Sequence, residues 1–400
     1  MSFIINKAKE LDPNRLYADN SSTGANKYGD FCTTHPYAGV NEFDSAIDRW
    51  VNVRGNYPLV LGEYADARTI SNRYEIIDAC GGIPWWWEAT STPPNAYAAF
   101  EAQGYTREEI DEFKDESYLS SLEAKRAYME DSKKNSSVAA LFLTQLVDIK
   151  HNSCGFYDEL GNLKFDPAEL QGSAGETALV IDDMVHNFAA GKTAAITPAV
   201  SHYNGMDIQN GRLSYTSQGE KVVLSGVAQE EITLQNGDYY CFDDLTFLMP
   251  DTSGAERYQL TLTLECDGFT VSNHWDVWGY STHILRDNGK DVRYYDPSDV
   301  YHFDDTYPWM TEWKGGDNPD VVITTDITNA ILTYLEAGGQ VIYLGAGSGP
   351  VTSTTEQSNF TNFTSSSLIF FPDDTHPLVA ALSSNGYGGI QFLDFATPDF

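Results

Sequence analysis

Three side chains at the ends of two expected short strands carry the chemistry this sequence offers. Glu63 closes the run Pro58-Leu-Val-Leu-Gly-Glu63, and His35-Pro36-Tyr37 closes a shorter run over 30–34. A carboxylate at the polar end of an apolar strand is a candidate nucleophile or general acid/base, because parallel α/β sheets carry active sites at their strands' carboxyl ends. A tyrosine hydroxyl beside it donates to the ionised form and lowers its pKa. The same residues also have a plainer reading, with Glu63 pairing to Arg68 or Arg73 and His35-Pro36-Tyr37 serving as a turn.

A second group fits around that centre. Trp85, Trp86 and Trp87 stand in a row before Pro93-Pro94. Exposed indoles stack on the C–H faces of sugars, although tryptophan is also commonly buried. Asp148, Asp158 and Glu159 either line a cleft mouth or are ordinary surface charges. Gly345-Ala-Gly-Ser-Gly349 has neither the GxGxxG spacing nor the lysine of a phosphate loop, and Pro350 disrupts a helix start, so it reads as a turn. The five cysteines, at 32, 80, 154, 241 and 266, are scattered without a CxxC and fit buried thiols. The eight histidines show no ligand spacing, so no metal and no cofactor is expected.

The elements that must position these residues follow from hydrophobic period. Residues 1–165 alternate helix and strand. Helix is expected ending at Lys7–Leu11, then over Glu42–Val53 and Ser117–Lys134. Strands are expected at Arg15–Asp19, Asp30–Thr34, Pro58–Glu63 and Val138–Leu143, with an irregular stretch over Gly81–Asp115. Buried apolar strands between helices imply a parallel sheet. From about 178 to 280 the period becomes that of short strands near ten residues apart, which implies an antiparallel sandwich. Val321–Thr324, Ile327–Glu336 and Gln340–Leu344 form one βαβ unit.

Composition bounds the function. With 24 Lys plus Arg against 58 Asp plus Glu, the formal charge is −34. No basic cluster exists to hold phosphates, so nucleic acid is excluded as a partner. No apolar run is long enough to insert in a membrane as a helix. The start, Met1-Ser-Phe-Ile-Ile-Asn-Lys, is not a signal peptide, and location and oligomeric state stay open. Aromatics at 13 % in an acidic chain suit a carbohydrate-handling protein.

Three strings extend this reading: Lys7-Ala-Lys-Glu-Leu-Asp-Pro-Asn-Arg15, His35-Pro-Tyr37, and Pro58-Leu-Val-Leu-Gly-Glu-Tyr-Ala-Asp66. Together they resemble glycoside hydrolase family 2, which includes β-galactosidases and β-glucuronidases. Leu143–Asp148 with Gly155–Asn162 is similar to the family's eighth barrel strand and its exit loop. Val200–Tyr203 and Asn273–Trp278 look like the sandwich that follows the barrel. The resemblance implies three parts. Residues 1–170 would be the second half of a TIM (β/α)8 barrel, 178–280 an Ig-like β-sandwich, and 281–400 a Rossmann-like, amidotransferase-like α/β domain without chemistry. It implies a retaining β-glycosidase acting on a carbohydrate substrate. Glu63 would be the nucleophile, Tyr37 would hold it ionised, and His35, Trp85, Trp86 and Asp148 would bind substrate. The family's acid/base Glu follows an Asn upstream of the nucleophile. Asn41-Glu42 repeats that dipeptide but opens a helix, so the chain is expected to be a C-terminal portion lacking the acid/base. The alternative is a non-catalytic carbohydrate-binding or scaffold protein with a degenerate barrel.

Overall fold

The computed structural model of the chain describes residues 2–21, 28–87, 97, 100–149, 152–220, 223–281, 289–344, 369–370, 380–382 and 387–392. Over these residues the chain is a mixed α/β structure with several sheets. After helix α1 (Ser2–Leu11) come strand β1 (Cys32–Thr34), helix α2 (Phe43–Val53) and strand β2 (Leu59–Tyr64). Helix α3 (Arg73–Cys80), helix α4 (Arg107–Lys134) and strand β3 (Val138–Leu143) follow. The three strands are parallel in the order β1-β2-β3. Leu59 and Leu61 of the central strand are fully buried, and α2 packs Phe43 and Ile47, one helical turn apart, into the same core. From α4, Leu122, Tyr128 and Met129 complete it.

Two expectations fail here. Arg15–Asp19 is not a strand. Asp30 does what a neighbouring strand would have done: its carboxylate accepts from Tyr17 N at 2.9 Å, and its own N–H donates to Tyr17 O at 2.7 Å. The first sheet therefore has three strands among the described residues, not four. The long helix also starts ten residues earlier than its hydrophobic period suggests. Thr106 Oγ1 accepts from Glu109 N, and Glu109 Oε2 accepts from Thr106 N at 2.7 Å, a capping box that satisfies two otherwise orphaned donors.

Nine strands follow the short helix α5 (Gln171–Ala174): β4 (Thr177–Asp182), β5 (Asn187–Ala189), β6 (Thr193–His202), β7 (Ile208–Gln218), β8 (Val223–Leu234), β9 (Asp238–Cys241), β10 (Leu245–Leu248), β11 (Ala255–Cys266) and β12 (Phe269–Tyr280). One sheet runs β10-β6-β4, with β9 also on β6, and the other runs β5-β12-β11-β7-β8. The two share one core. Alternate residues Tyr258, Leu260, Leu262 and Leu264 of β11 meet Leu179, Ile196, Val200 and Phe247 of the facing sheet. The sequence suggests two strands within 221–234, and the structure has one. A bulge with Glu231 at φ 57° lets β8 continue through the irregularity.

In the last region β13 (Val292–Tyr295), β14 (Thr311–Glu312), β15 (Val321–Thr324) and β16 (Val341–Tyr343) form a parallel sheet in the order β14-β13-β15-β16. Helix α6 (Asn329–Glu336) connects β15 to β16 and packs Ile331 and Tyr334 on Val322 and Trp313. Gly338, at φ +90°, ends the turn after the helix where a side chain would be strained. Gly345–Gly349 lies outside the described residues. The chain then returns to the earlier parts. Ile390 N donates to Glu123 of α4 at 2.9 Å, and Asn187 of β5 donates to Gln391 O at 2.7 Å.

Candidate active site

β2 delivers Glu63 to the carboxyl edge of the first sheet, and the segment leaving β1 delivers His35 and Tyr37 beside it. The Tyr37 hydroxyl donates a short hydrogen bond to Glu63 Oε2. His35 Nδ1 lies 3.5 Å from the same oxygen. A Cβ at Gly62 would stand 3.3 Å from His35 Nε2, so the missing side chain there lets the imidazole lie close against β2. The Glu63 side chain is 45 % exposed and that of His35 is 15 % exposed. Burial, then the bond to Glu63, pushes the Tyr37 hydroxyl well above the usual phenol range. It therefore stays protonated and keeps donating.

A cavity of about 380 Å³ opens beside this trio, lined by Pro36, Tyr37, Ala38, Ala65, Asp66, Arg68, Tyr128 and Asn152. Glu63 sits just outside that lining and reaches it through Tyr37. The chain turns sharply after the nucleophile candidate, with Ala65 at φ 60° in the left-handed region, an unusual conformation for a residue with a side chain. The turn is held from beneath. Fully buried Lys125 of α4 donates to Ala65 O at 3.1 Å and to Cys154 O at 2.7 Å, tying the cavity wall at Ala65 and the segment after β3 to one helix. Burial pushes the Lys125 ammonium down to about 8 and the Cys154 thiol up to about 12.

Glu63, Tyr37 and His35 are thus brought together. The plain pairing with Arg68 is not made: Arg68 Nη2 bonds Asp66 Oδ2 at 3.1 Å instead, and this pair lies in the cavity wall. Arg73 stacks over the Tyr97 ring. Trp85 and Trp86 are not among the cavity-lining residues, although Trp85 is 83 % exposed. Asp148 is corrected. It does not line a cleft, because its side chain is wholly enclosed and paired with an equally enclosed Lys164 at 2.6 Å. Asp158 is buried too, accepting from Leu160 N, Asn162 N and Asn72 Nδ2. Glu42 belongs to a helical turn at the start of α2 and is absent from the cavity lining. Asp66 and Arg68 line the cavity, although the sequence offered Arg68 only as a pairing partner for Glu63 and Asp66 only as part of the string after it. Their signal was proximity to Glu63 along the chain. No group of three or more potential ligands for a metal occurs among the described residues.

A family model described as a domain of unknown function (DUF8488) matches residues 192–281, the span from β6 through β12. No curated protein matches the sequence. Among solved structures, the chain is similar to an endo-β-1,4-mannanase from Thermotoga petrophila at 13 % identity and TM-score 0.25, over 70 % of this chain and 60 % of that one. It is similar to β-glucuronidase 3 of Bacteroides uniformis at 11 % identity and TM-score 0.28, over 70 % and 33 %. It is also similar to the sporulation control protein Spo0M from Bacillus subtilis at 16 % identity and TM-score 0.19, over 26 % and 48 %. The chain spans less than two thirds of the length of each of these three. At these scores the likeness decides neither architecture nor function.

Proposed function

We propose that the chain acts on carbohydrate as a retaining β-glycosidase, with Glu63 as the nucleophile. The reading includes the architecture that the motifs imply: the first sheet as part of a TIM barrel, the nine strands as an Ig-like sandwich, and the last sheet as a Rossmann-like domain without chemistry. The observation that carries it is the Tyr37 hydroxyl donating to a half-exposed Glu63 carboxylate at a strand's carboxyl end, beside a cavity large enough for a sugar unit. In such chemistry the carboxylate attacks the anomeric carbon, and a glycosyl-enzyme ester forms and is then hydrolysed. Tyr37 holds the oxygen in place, and His35 meets the hydroxyls of the ring. The Asp66–Arg68 pair offers acceptors and donors in the wall. The proton donor is not assigned to a residue of this chain. A second reading, sugar binding without turnover, draws on the exposed Trp85.

The test uses 2-deoxy-2-fluoro glycosides with a dinitrophenolate leaving group, which departs without acid help. A galacto-, gluco-, manno- and glucurono-configured set should label Glu63, located by peptide mass spectrometry. Glu63→Gln should take no label. Label on another carboxylate overturns the assignment of Glu63. Sugar binding without label from any member of the set selects the second reading.

A further inference from the structure

Lys164 and Asp148 face each other in a closed space among α4 and the segments that leave β2 and β3. Nζ stands 2.6 Å from Oδ2, and both side chains are 0 % exposed. The amine also donates to Thr69 Oγ1 at 2.7 Å and to Ser153 O at 2.8 Å. Asp148 Oδ1 accepts from Gly155 N at 2.7 Å. The Tyr118 ring lies 5.2 Å from Nζ and helps to close the site. Oδ2 receives no well-directed hydrogen bond in spite of its nearness to the amine, so this contact is one of distance more than direction.

We infer that Lys164 and Asp148 condense into an intramolecular isopeptide bond, linking the segment that leaves β3 to the one that enters the sandwich. An ammonium and a carboxylate stripped of water are costly to keep charged, and a proton shift between them gives a neutral amine and a carboxylic acid. Burial acts on both partners in that direction, pushing the Asp148 carboxyl up to about 6 and the Lys164 ammonium down. The neutral amine can keep its two N–H bonds to Thr69 and Ser153, which leaves its lone pair for Asp148. Attack on Cγ forms the C–N bond. The charge that develops on Oδ1 is met by the Gly155 N–H already aimed at it. Oδ2 then leaves as water, carrying its own proton and one from the amine. Amine plus carboxylic acid gives amide plus water, so no oxidant or cofactor is needed. The other close lysine–carboxylate pairs among the described residues lack the enclosure. Lys9 and Asp30 are 2.5 Å apart but both remain partly exposed, so water keeps them charged.

The experiment is an intact-mass measurement on the purified, folded 44.4 kDa chain, followed by denaturing tryptic digestion. The expected mass is lower than the sequence mass by one water, about 18 Da. The digest should hold a branched peptide joining the Asp148 and Lys164 sites, with no cleavage after Lys164. Lys164→Met and Asp148→Ala should each restore the full mass. A wild-type chain of full sequence mass that trypsin cuts after Lys164 overturns the proposal, whatever the two variants do. Neither result depends on glycosidase activity, so this inference and the proposed function fail separately.

Discussion

The Tyr37 hydroxyl is 26 residues away from Glu63 in sequence yet donates to one of its oxygens, and the pair is about half exposed. Position at the surface means that the bond does little for folding and much for the carboxylate's orientation. Tyr37→Phe should change unfolding free energy by about 1 kcal/mol or less, the net worth of a solvent-competed hydrogen bond. The same change should slow labelling of Glu63 by the fluorosugar roughly tenfold or more, since a bond to a charged group is worth about 1.5–3 kcal/mol. Denaturant unfolding and labelling kinetics on one preparation separate the two effects, and equal losses in both would make Tyr37 structural. At this scale the sequence was readable where local pattern sufficed. Glu63 announces itself by ending an apolar run, and His35 and Tyr37 by following an expected short strand. Asp148 did not, because the property that decides its fate is a lysine sixteen residues on, and a charge with a buried partner looks like any surface charge until the loop closes.

The long helix shows both how elements are legible and where they are not. Its apolar spacing identifies a helix, but its start is set by the capping box of Thr106 and Glu109, a polar signal inside a stretch that otherwise reads as loop. The expected strand at Arg15–Asp19 fails for the complementary reason. A single residue, Asp30, satisfies both backbone groups of Tyr17, its carboxylate accepting from the N–H and its own N–H donating to the carbonyl. Within α4, Asp131 is pressed against Lys134 at 2.9 Å, yet burial outweighs that pairing and pushes its carboxyl up to about 7. The folded chain therefore holds a proton that the unfolded chain releases near the ordinary carboxylate value. Stability from this group is full below about pH 4 and is lost as pH rises through 7. A shift of this size is worth about 4 kcal/mol. Wild type should lose more stability between pH 5 and pH 8 than Asp131→Asn, as measured by urea unfolding at each pH. Parallel pH dependences in the two proteins would sink the assignment.

For the whole molecule, the decisive contacts are polar and cross between the first sheet's helix and the sandwich. Glu130 of α4 accepts from Trp275 Nε1 at 2.8 Å, from Asn273 Nδ2 at 3.0 Å and from Ser173 Oγ at 2.6 Å. One turn earlier, Arg126 donates to Asn273 Oδ1 at 3.1 Å and to the His274 carbonyl. A Cβ at Gly172 would fall 2.5 Å from Asn273 Oδ1, so the small helix α5 is fitted against the same spot. In β12 Asn273 and Trp275 are two residues apart and both buried, so they share a face. The sequence did not tell that a glutamate on a distant helix answers them, since only the folded chain brings those segments together. The sandwich has its own two-sheet core, whereas the edge strands of the three-stranded sheet have no further strand partner among the described residues, and that sheet leans on this interface. The expectation is one shared calorimetric transition for the two parts in wild type. Glu130→Ala leaves Trp275 Nε1 and Ser173 Oγ without their acceptor, while Asn273 Nδ2 keeps Leu179 O, a loss of about 3 kcal/mol at the interface. The variant should melt in two steps, the first sheet at lower temperature and the sandwich near its original value. Near-ultraviolet dichroism should report the second step separately through buried Trp275 and Trp278. A variant that still melts in a single step at the wild-type temperature would show that the two parts are not joined through Glu130.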